Sequence, residues 1–261
     1  MASVGACGGA LSALSLLNFA FVFISGVDFI GFISFRAIYH NITGETTLCR
    51  DSVAWSTALQ DGVVLKALMV DLGLLVLFIG QHCVLSYAPI KEACKLFLGD
   101  MYRSVSCFST ALVLQILIYY WQPLTGAPCL WAVRQAPWSV WFPLVCFTVH
   151  FMCWAMICSS LIIFDFIELL GLKQVYKFLG FGDLLPVKSA GAERLLSHVG
   201  LPVFLEMCVV LWLLPALSLD RFLLALTLTA YQSLAHSLDK QDLDFLSDLL
   251  KGKMELFAEL H

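Results

Sequence analysis

The segment LLSHVGLPVFLE, residues 195–206, leads into the last two apolar runs of the chain. Only a few residues separate these two runs, and the second passes into the acidic sequence AHSLDKQDLDFLSDLL, residues 235–250. A polar approach that contains a proline, a tight helical hairpin and an acidic exit together predict a small cup inside a membrane. If the protein carries out chemistry, we expect it in this cup, with the rest of the chain as membrane scaffold.

The composition is that of a membrane protein. Of 261 residues, 60% are apolar and 13% are charged, about half the usual charge density of soluble domains. The mean hydropathy is +0.88, and such a chain has too little polar surface to cover a soluble globule. Its apolar runs are long and continuous, which favours helices over the short alternating strands of a barrel. The sequence therefore predicts an all-α, polytopic membrane protein. The net charge of −4 comes without a basic block, so no nucleic-acid partner is expected.

Six apolar runs are long enough to cross a hydrocarbon core of about 30 Å as helices. They cover residues 2–35, 63–87, 105–121, 140–164, 199–217 and 221–238. The chain is thus predicted to form one integral membrane domain, 1–261, that ends in an amphipathic tail helix at 239–261. The polar face of this tail is acidic, whereas anionic membranes attract a basic face. We therefore expect the tail to dock on the protein itself or on a partner protein.

Loop charges predict the orientation of the spans. Most Lys and Arg residues lie in the loops after the second and fourth spans and in the tail, so the positive-inside rule places both termini on the nucleoplasmic or cytosolic side. The sequon at Asn41 then lies in the lumen, where it predicts N-glycosylation. Cys49 and Cys129 lie on the same side, and an oxidising lumen would allow them to form a disulfide.

The remaining cysteines and the histidines give no metal signature. Most of the cysteines lie in the predicted spans, where cysteine behaves as a small apolar residue, and no CxxC or histidine ligand spacing occurs. We expect no metal. Ionisable residues at membrane depth are costly and are candidates for function or for interhelical bonds. Asp71, His82 and His150 are predicted to form interhelical hydrogen bonds, whereas Glu206 is the least readily explained by packing.

Three segments resemble the nurim family of multi-span proteins of the inner nuclear membrane. They are DLGLLVLFIGQH at 71–82, ELLGLKQVYKFLGFGDLLPVKS at 168–189 and AHSLDKQDLDFL at 235–246. The resemblance covers most of the chain and is weakest before Asp71. It implies residence in the inner nuclear membrane, as a multi-pass protein. It also implies nuclear-envelope or lamina-associated partners, bound through the loops and the tail.

The C-terminal half in turn resembles the isoprenylcysteine carboxyl methyltransferases. That family binds S-adenosylmethionine through an Arg-His-Pro-x-Tyr-x-Gly motif and a downstream acidic pair. Here Gly200 and Leu201 stand at the Arg and His positions, Pro202 is retained, Phe204 replaces Tyr and Glu206 replaces Gly. Glycine and leucine side chains cannot bind the carboxylate of the cofactor, which an arginine would clamp.

The resemblance therefore implies the remains of a cofactor site, formed by His198, Pro202, Phe204, Glu206 and Asp242. We expect no catalytic residue and no cofactor, and the leading hypothesis is a non-enzymatic protein with a structural or partner-binding role. The alternative is an S-adenosylmethionine-dependent membrane methyltransferase, or a descendant that still binds the cofactor or a lipid. A transporter is the least supported hypothesis, because no paired broken helices indicate an inverted repeat.

Overall fold

The fold is built almost entirely of helices, which confirms the predicted class. A computed structural model describes residues 2–38, 53–99, 102–124, 126–163 and 202–235. Its elements in chain order are α1 (Ala2–Ile30), α2 (Trp55–Ala58), α3 (Gly62–Ser86), α4 (Ala88–Leu98), α5 (Tyr102–Tyr120), β1 (Trp131–Ala132), α6 (Trp138–Ile163), α7 (Pro202–Trp212), β2 (Ala216–Leu217) and α8 (Leu219–Ala235). Helix α1 continues directly into a π-helical segment, Gly31–Phe35.

Four of the described helical stretches are long and apolar enough to cross a membrane. They are Ala13–Ile38, Gly62–Ser86, Tyr102–Tyr120 and Trp138–Ser160. Helix α7 is apolar but shorter, and it ends at Trp212, before the end of the fifth predicted span at residue 217. The chain cannot continue as a regular helix there, because Pro215 has no N–H to donate and the next two residues form β2. The predicted loop after the second span contains α4, which begins with a proline in its first turn.

The side chains are arranged as expected for a protein in lipid. Large apolar side chains such as Val76 and Phe151 point outward, with 63% and 64% of their surface exposed. Asp71 and His150 are instead almost completely buried, at 0% and 2%. In a membrane the outer surface meets hydrocarbon, so polar groups are placed inside the bundle, where they can find partners.

Helices α1 and α5 pack side by side and run in the same direction. Their contacts follow the same order along both helices: Asn18 with Ser104, Phe21 with Phe108, Asp28 with Gln115 and Phe32 with Trp121. Helix α3 packs against α5 in the opposite direction. Gln81 near the end of α3 bonds Ser109 near the start of α5, whereas Asp71, earlier in α3, accepts from the backbone N–H of Gln122 just beyond the end of α5. Helix α3 begins with a side-chain cap, in which the carboxylate of Asp61 accepts a hydrogen bond from the N–H of Val63.

At one end of the bundle, which we call the Arg221 end, α1 and α5 finish and α3, α6 and α8 begin. Here β1 and β2 form an antiparallel pair, with Trp131 opposite Leu217 and Ala132 opposite Ala216. An apolar cluster of Ala37, Ile38, Cys146, Leu214 and Leu217 packs at this end. The chain divides into two units, Met1–Ala225 and Leu226–His261, and the hydrogen bonds, ion pair and groove described below lie in the first.

Candidate functional site

The predicted cup is described only in part. Pro202 is the first residue of α7, where its missing N–H costs no helical hydrogen bond. Phe204 and Glu206 follow in the first two turns of α7, and both are half-buried. The other predicted members of this site lie outside the described residues: His198, Gly200, Leu201 and Asp242.

Glu206 carries a polar atom that the packing does not satisfy. Its Oε2 is buried and has no hydrogen-bond partner. The carboxylate lies within electrostatic reach of Cys153 on α6, so the side chain is directed toward a neighbouring helix. A buried carboxylate oxygen without a partner is costly, and Glu206 is therefore the one described residue of the cup that packing alone does not explain.

At the Arg221 end lie polar side chains whose hydrogen-bonding atoms do have partners. No pattern in the sequence indicated that these residues form a group. His150 on α6 is bonded through Nδ1 to Ser34 Oγ at 2.9 Å and through Nε2 to the carbonyl oxygen of Leu213, also at 2.9 Å. The indole N–H of Trp154 donates to the same Ser34 Oγ at 2.8 Å. We call these four residues the His150 network. It joins the π-helical segment after α1, helix α6 and the chain just beyond α7.

The chemistry of the partners fixes the protons of the His150 network. A carbonyl oxygen can only accept, so Nε2 of His150 carries the proton and donates to Leu213. In the neutral imidazole Nδ1 is then the acceptor, and the Ser34 hydroxyl donates to it while accepting from Trp154. A serine next to a histidine nitrogen is also the geometry of an activated nucleophile. Here, however, both side chains are buried, with 3% of Ser34 and 2% of His150 exposed.

A second group of polar side chains surrounds the start of α8, and we call it the Arg221 cluster. Arg221 donates to the carbonyl oxygen of Phe32 at 3.0 Å, and its guanidinium carbon lies 4.3 Å from the centre of the Phe32 ring. Its Nε is 3.9 Å from a carboxylate oxygen of Asp220. The same oxygen accepts from the indole of Trp121 at 3.1 Å. The ion pair is almost entirely buried, so each charge depends on the other.

Asp71 of α3 lies beside the Arg221 cluster. Its Oδ1 accepts the backbone N–H of Gln122 at 2.8 Å, and its Oδ2 has no partner. It lies within electrostatic reach of both Asp220 and Arg221. The prediction of an interhelical hydrogen bond is thus confirmed for His150, whose partner Ser34 lies in the π-helical segment, whereas Asp71 bonds to the chain just beyond α5. Within the residues that the structure describes, no three His, Cys, Asp or Glu side chains are grouped to hold a metal ion.

The sequence offered only partial signals for these residues. Ser34 and Trp154 are ordinary residues of apolar spans. Arg221 is the first residue of the sixth predicted span, and the structure buries it against the ring of Phe32. The adjacent Asp220 and Arg221, placed between two apolar runs, were the available signal for an ion pair at membrane depth.

Two further predicted sites involve residues outside the described part. Cys129 is disulfide-bonded. Seven other described cysteines form no disulfide bond: Cys83, Cys94, Cys107, Cys146, Cys153, Cys158 and Cys208. The bonding partner therefore does not lie among these seven, and Cys49 remains the predicted one. Asn41 lies outside the described residues, so its glycosylation also stays a prediction.

Comparison with known proteins shows where the chain belongs. It is 57% identical over 259 residues to nurim of Danio rerio, across 99% of this chain and 94% of that protein. It is 43% identical over 245 residues to nurim of both Bos taurus and Homo sapiens, across 94% of this chain and 93% of each relative. No protein-family model and no solved structure matches the chain. Identities of this size over nearly the whole length establish that the chain belongs to the nurim family.

Proposed function

We propose that this multi-pass membrane protein is a non-enzymatic, structural component of the inner nuclear membrane that binds partner proteins through its loops and C-terminal tail. The observation that carries the proposal is the use of polar side chains at the Arg221 end. His150, Ser34, Asp220 and Arg221 are directed at other parts of the same chain, and their bonds join the ends of different helices. Such bonds give a bundle a defined shape.

The residue pattern of the cup supports the non-enzymatic part of the proposal. Gly200 and Leu201 supply no cation for a cofactor carboxylate, and Glu206 adds a negative charge near that position. Position in the inner nuclear membrane is supported by membership of the nurim family together with the resemblance of segments such as 168–189. The termini would then face the nucleoplasm, where the acidic tail at 239–261 could meet partners.

The location and the partner binding can be tested in cells with the full chain fused to a fluorescent protein. We expect fluorescence at the nuclear rim that remains after treatment with digitonin. Antibodies should reach a C-terminal epitope only after the nuclear membranes are permeabilised. Fluorescence recovery after photobleaching should be slow, and faster in a matched chain that ends at Leu238, because that chain lacks the tail. A reticular pattern with the epitope accessible in digitonin alone, or equal recovery of both chains, would contradict the proposal.

The alternative function, a methyltransferase or a cofactor-binding descendant of one, is favoured by one observation. Glu206 Oε2 is a buried acceptor without a partner, and a bound cationic ligand such as the sulfonium of S-adenosylmethionine would be attracted to it. The remaining residues of the predicted cup do not supply the clamp that the carboxylate of this cofactor needs.

Binding of S-adenosylmethionine to the purified protein in nanodiscs separates the two functions. We expect no saturable binding up to about 1 mM, the concentration that corresponds to roughly −4 kcal/mol. The comparison variants are Glu206→Ala and, as a control on α6, Thr148→Ala, whose hydroxyl bonds only within its own helix. Saturable binding that Glu206→Ala abolishes and Thr148→Ala leaves intact would establish the alternative.

A further inference from the structure

A groove of about 400 Å³ lies between α1 and α5, far along both helices from the Arg221 end. Its walls are mainly apolar, and they include Leu14, Leu17, Phe21 and Phe108. The two leucines are also exposed on the outer surface, at 58% and 69%, so the groove opens toward the lipid. Its volume falls near the lower end of the roughly 300–1,000 Å³ typical of ligand pockets.

Two polar atoms at this groove have no hydrogen-bond partner. Asn18 donates through Nδ2 to the backbone carbonyl oxygen of Ser104 at 2.9 Å, which leaves its Oδ1 on the other side of the amide. That Oδ1 and the hydroxyl of Ser104 are both buried and unpartnered. Ser104 as a whole is 4% exposed, and both residues line the groove. In an apolar environment such atoms are costly unless a ligand satisfies them.

The unpartnered atoms define the chemistry of a ligand that would satisfy both. Asn18 Oδ1 can only accept a hydrogen bond, and the Ser104 hydroxyl can donate one. A single hydroxyl group is complementary to this pair, because it donates to the first and accepts from the second. The described residues that line the groove carry no charge, so a phosphate or ammonium headgroup would find no counter-charge among them.

The position of the pair in the membrane adds a second constraint. Ser104 lies in the first turn of the membrane-spanning helix α5, and Asn18 is bonded to its backbone carbonyl oxygen. Both are thus near one membrane surface, whereas Phe21 and Phe108, whose rings are 5.3 Å apart, lie one turn deeper. A ligand with its hydroxyl at the pair would have its apolar body directed toward the centre of the bilayer.

We propose that this groove binds a sterol, held by its hydroxyl group between Asn18 Oδ1 and the Ser104 hydroxyl and by its ring system along the apolar wall. A sterol combines one hydroxyl with one compact apolar body. A diacylglycerol has the hydroxyl but carries two long chains, for which a groove of about 400 Å³ is small. The proposal is independent of the role suggested above for the protein.

Photoaffinity labelling of the full-length protein in nanodiscs tests the proposal. The probe is a cholesterol analogue that keeps its 3-hydroxyl group and carries a diazirine on the ring system. We expect cross-linked peptides from α1 around Asn18 and from α5 around Ser104, and competition by unlabelled cholesterol. Cholestane, which lacks the hydroxyl, should compete at least about fivefold less well, since one hydrogen bond contributes about that factor.

The variant Ser104→Ala should reduce labelling by about fivefold, whereas the control Ser159→Ala, an exposed serine of α6 bonded only within its helix, should label like the parent. Size-exclusion profiles show whether each variant is folded, and peptide mapping on the unmodified protein provides a result that does not depend on any variant. Cross-links outside the groove, equal competition by cholestane, or competition by diacylglycerol as strong as by cholesterol would each overturn the proposal.

Discussion

Replacing Arg221 by methionine is expected to lower the free energy of unfolding by about 3–5 kcal/mol, the usual cost of breaking a buried ion pair from one side. Methionine keeps most of the apolar stem, so the loss comes from the charge and its hydrogen bonds. The carbonyl oxygen of Phe32 loses its donor, and the carboxylate of Asp220 keeps only the indole of Trp121. Unfolding by SDS titration in mixed micelles measures the change.

Two comparison proteins make this expectation specific. The double variant Asp220→Asn with Arg221→Met leaves no unpaired buried charge, and its asparagine can still accept from the indole of Trp121. The loss in free energy of unfolding should therefore be clearly smaller than in Arg221→Met alone. The control Lys66→Met removes an exposed cation at the start of α3, where the expected change is within about 0.5 kcal/mol. A double variant at least as unstable as the single one would show that the ion pair is not the cause.

Replacing His150 by leucine is expected to lower the free energy of unfolding by about 1–3 kcal/mol. Leucine fits a similar volume but removes both ring nitrogens. The carbonyl oxygen of Leu213 is then left without its donor, and the Ser34 hydroxyl loses its acceptor. The same SDS titration measures the change. The value is smaller than for Arg221 because interhelical hydrogen bonds between neutral groups in membranes average only about 0.6 kcal/mol each.

A double-mutant cycle tests whether the His150 network acts as a unit. Ser34→Ala alone leaves Nδ1 of His150 and the indole N–H of Trp154 without a partner. The combined variant should therefore be more stable than the sum of the two single losses predicts, by about 0.5–3 kcal/mol. The control is Thr148→Ala, two residues before His150 on α6, whose hydroxyl donates to the carbonyl oxygen of Leu144 in the same helix. Additive effects of Ser34→Ala and His150→Leu would refute direct coupling.

The sequence was a good guide to the fold and a partial guide to the site. Continuous apolar runs predicted the helices, because the need to satisfy the backbone in lipid leaves few other structures. The sequence predicted the end of the fifth span less accurately: it was placed at residue 217, whereas α7 ends at Trp212 and β2 follows Pro215. A pairing of two residues per strand leaves no periodic signal in a sequence. The cup was predicted from the residue pattern of 195–250, and its individual members from the resemblance. Of those members the structure describes only Pro202, Phe204 and Glu206.

By itself, the sequence determined the class of protein, the approximate positions of the helices and the presence of buried charges, because these depend on local composition measured against the thickness of a bilayer. Only the tertiary structure decided which polar groups meet. Ser34 and His150 are 116 residues apart, and Arg221 and Phe32 are 189 apart. Such pairs form because helix α6 and the start of α8 lie against the π-helical segment that follows α1, and a single sequence carries no local pattern for that packing.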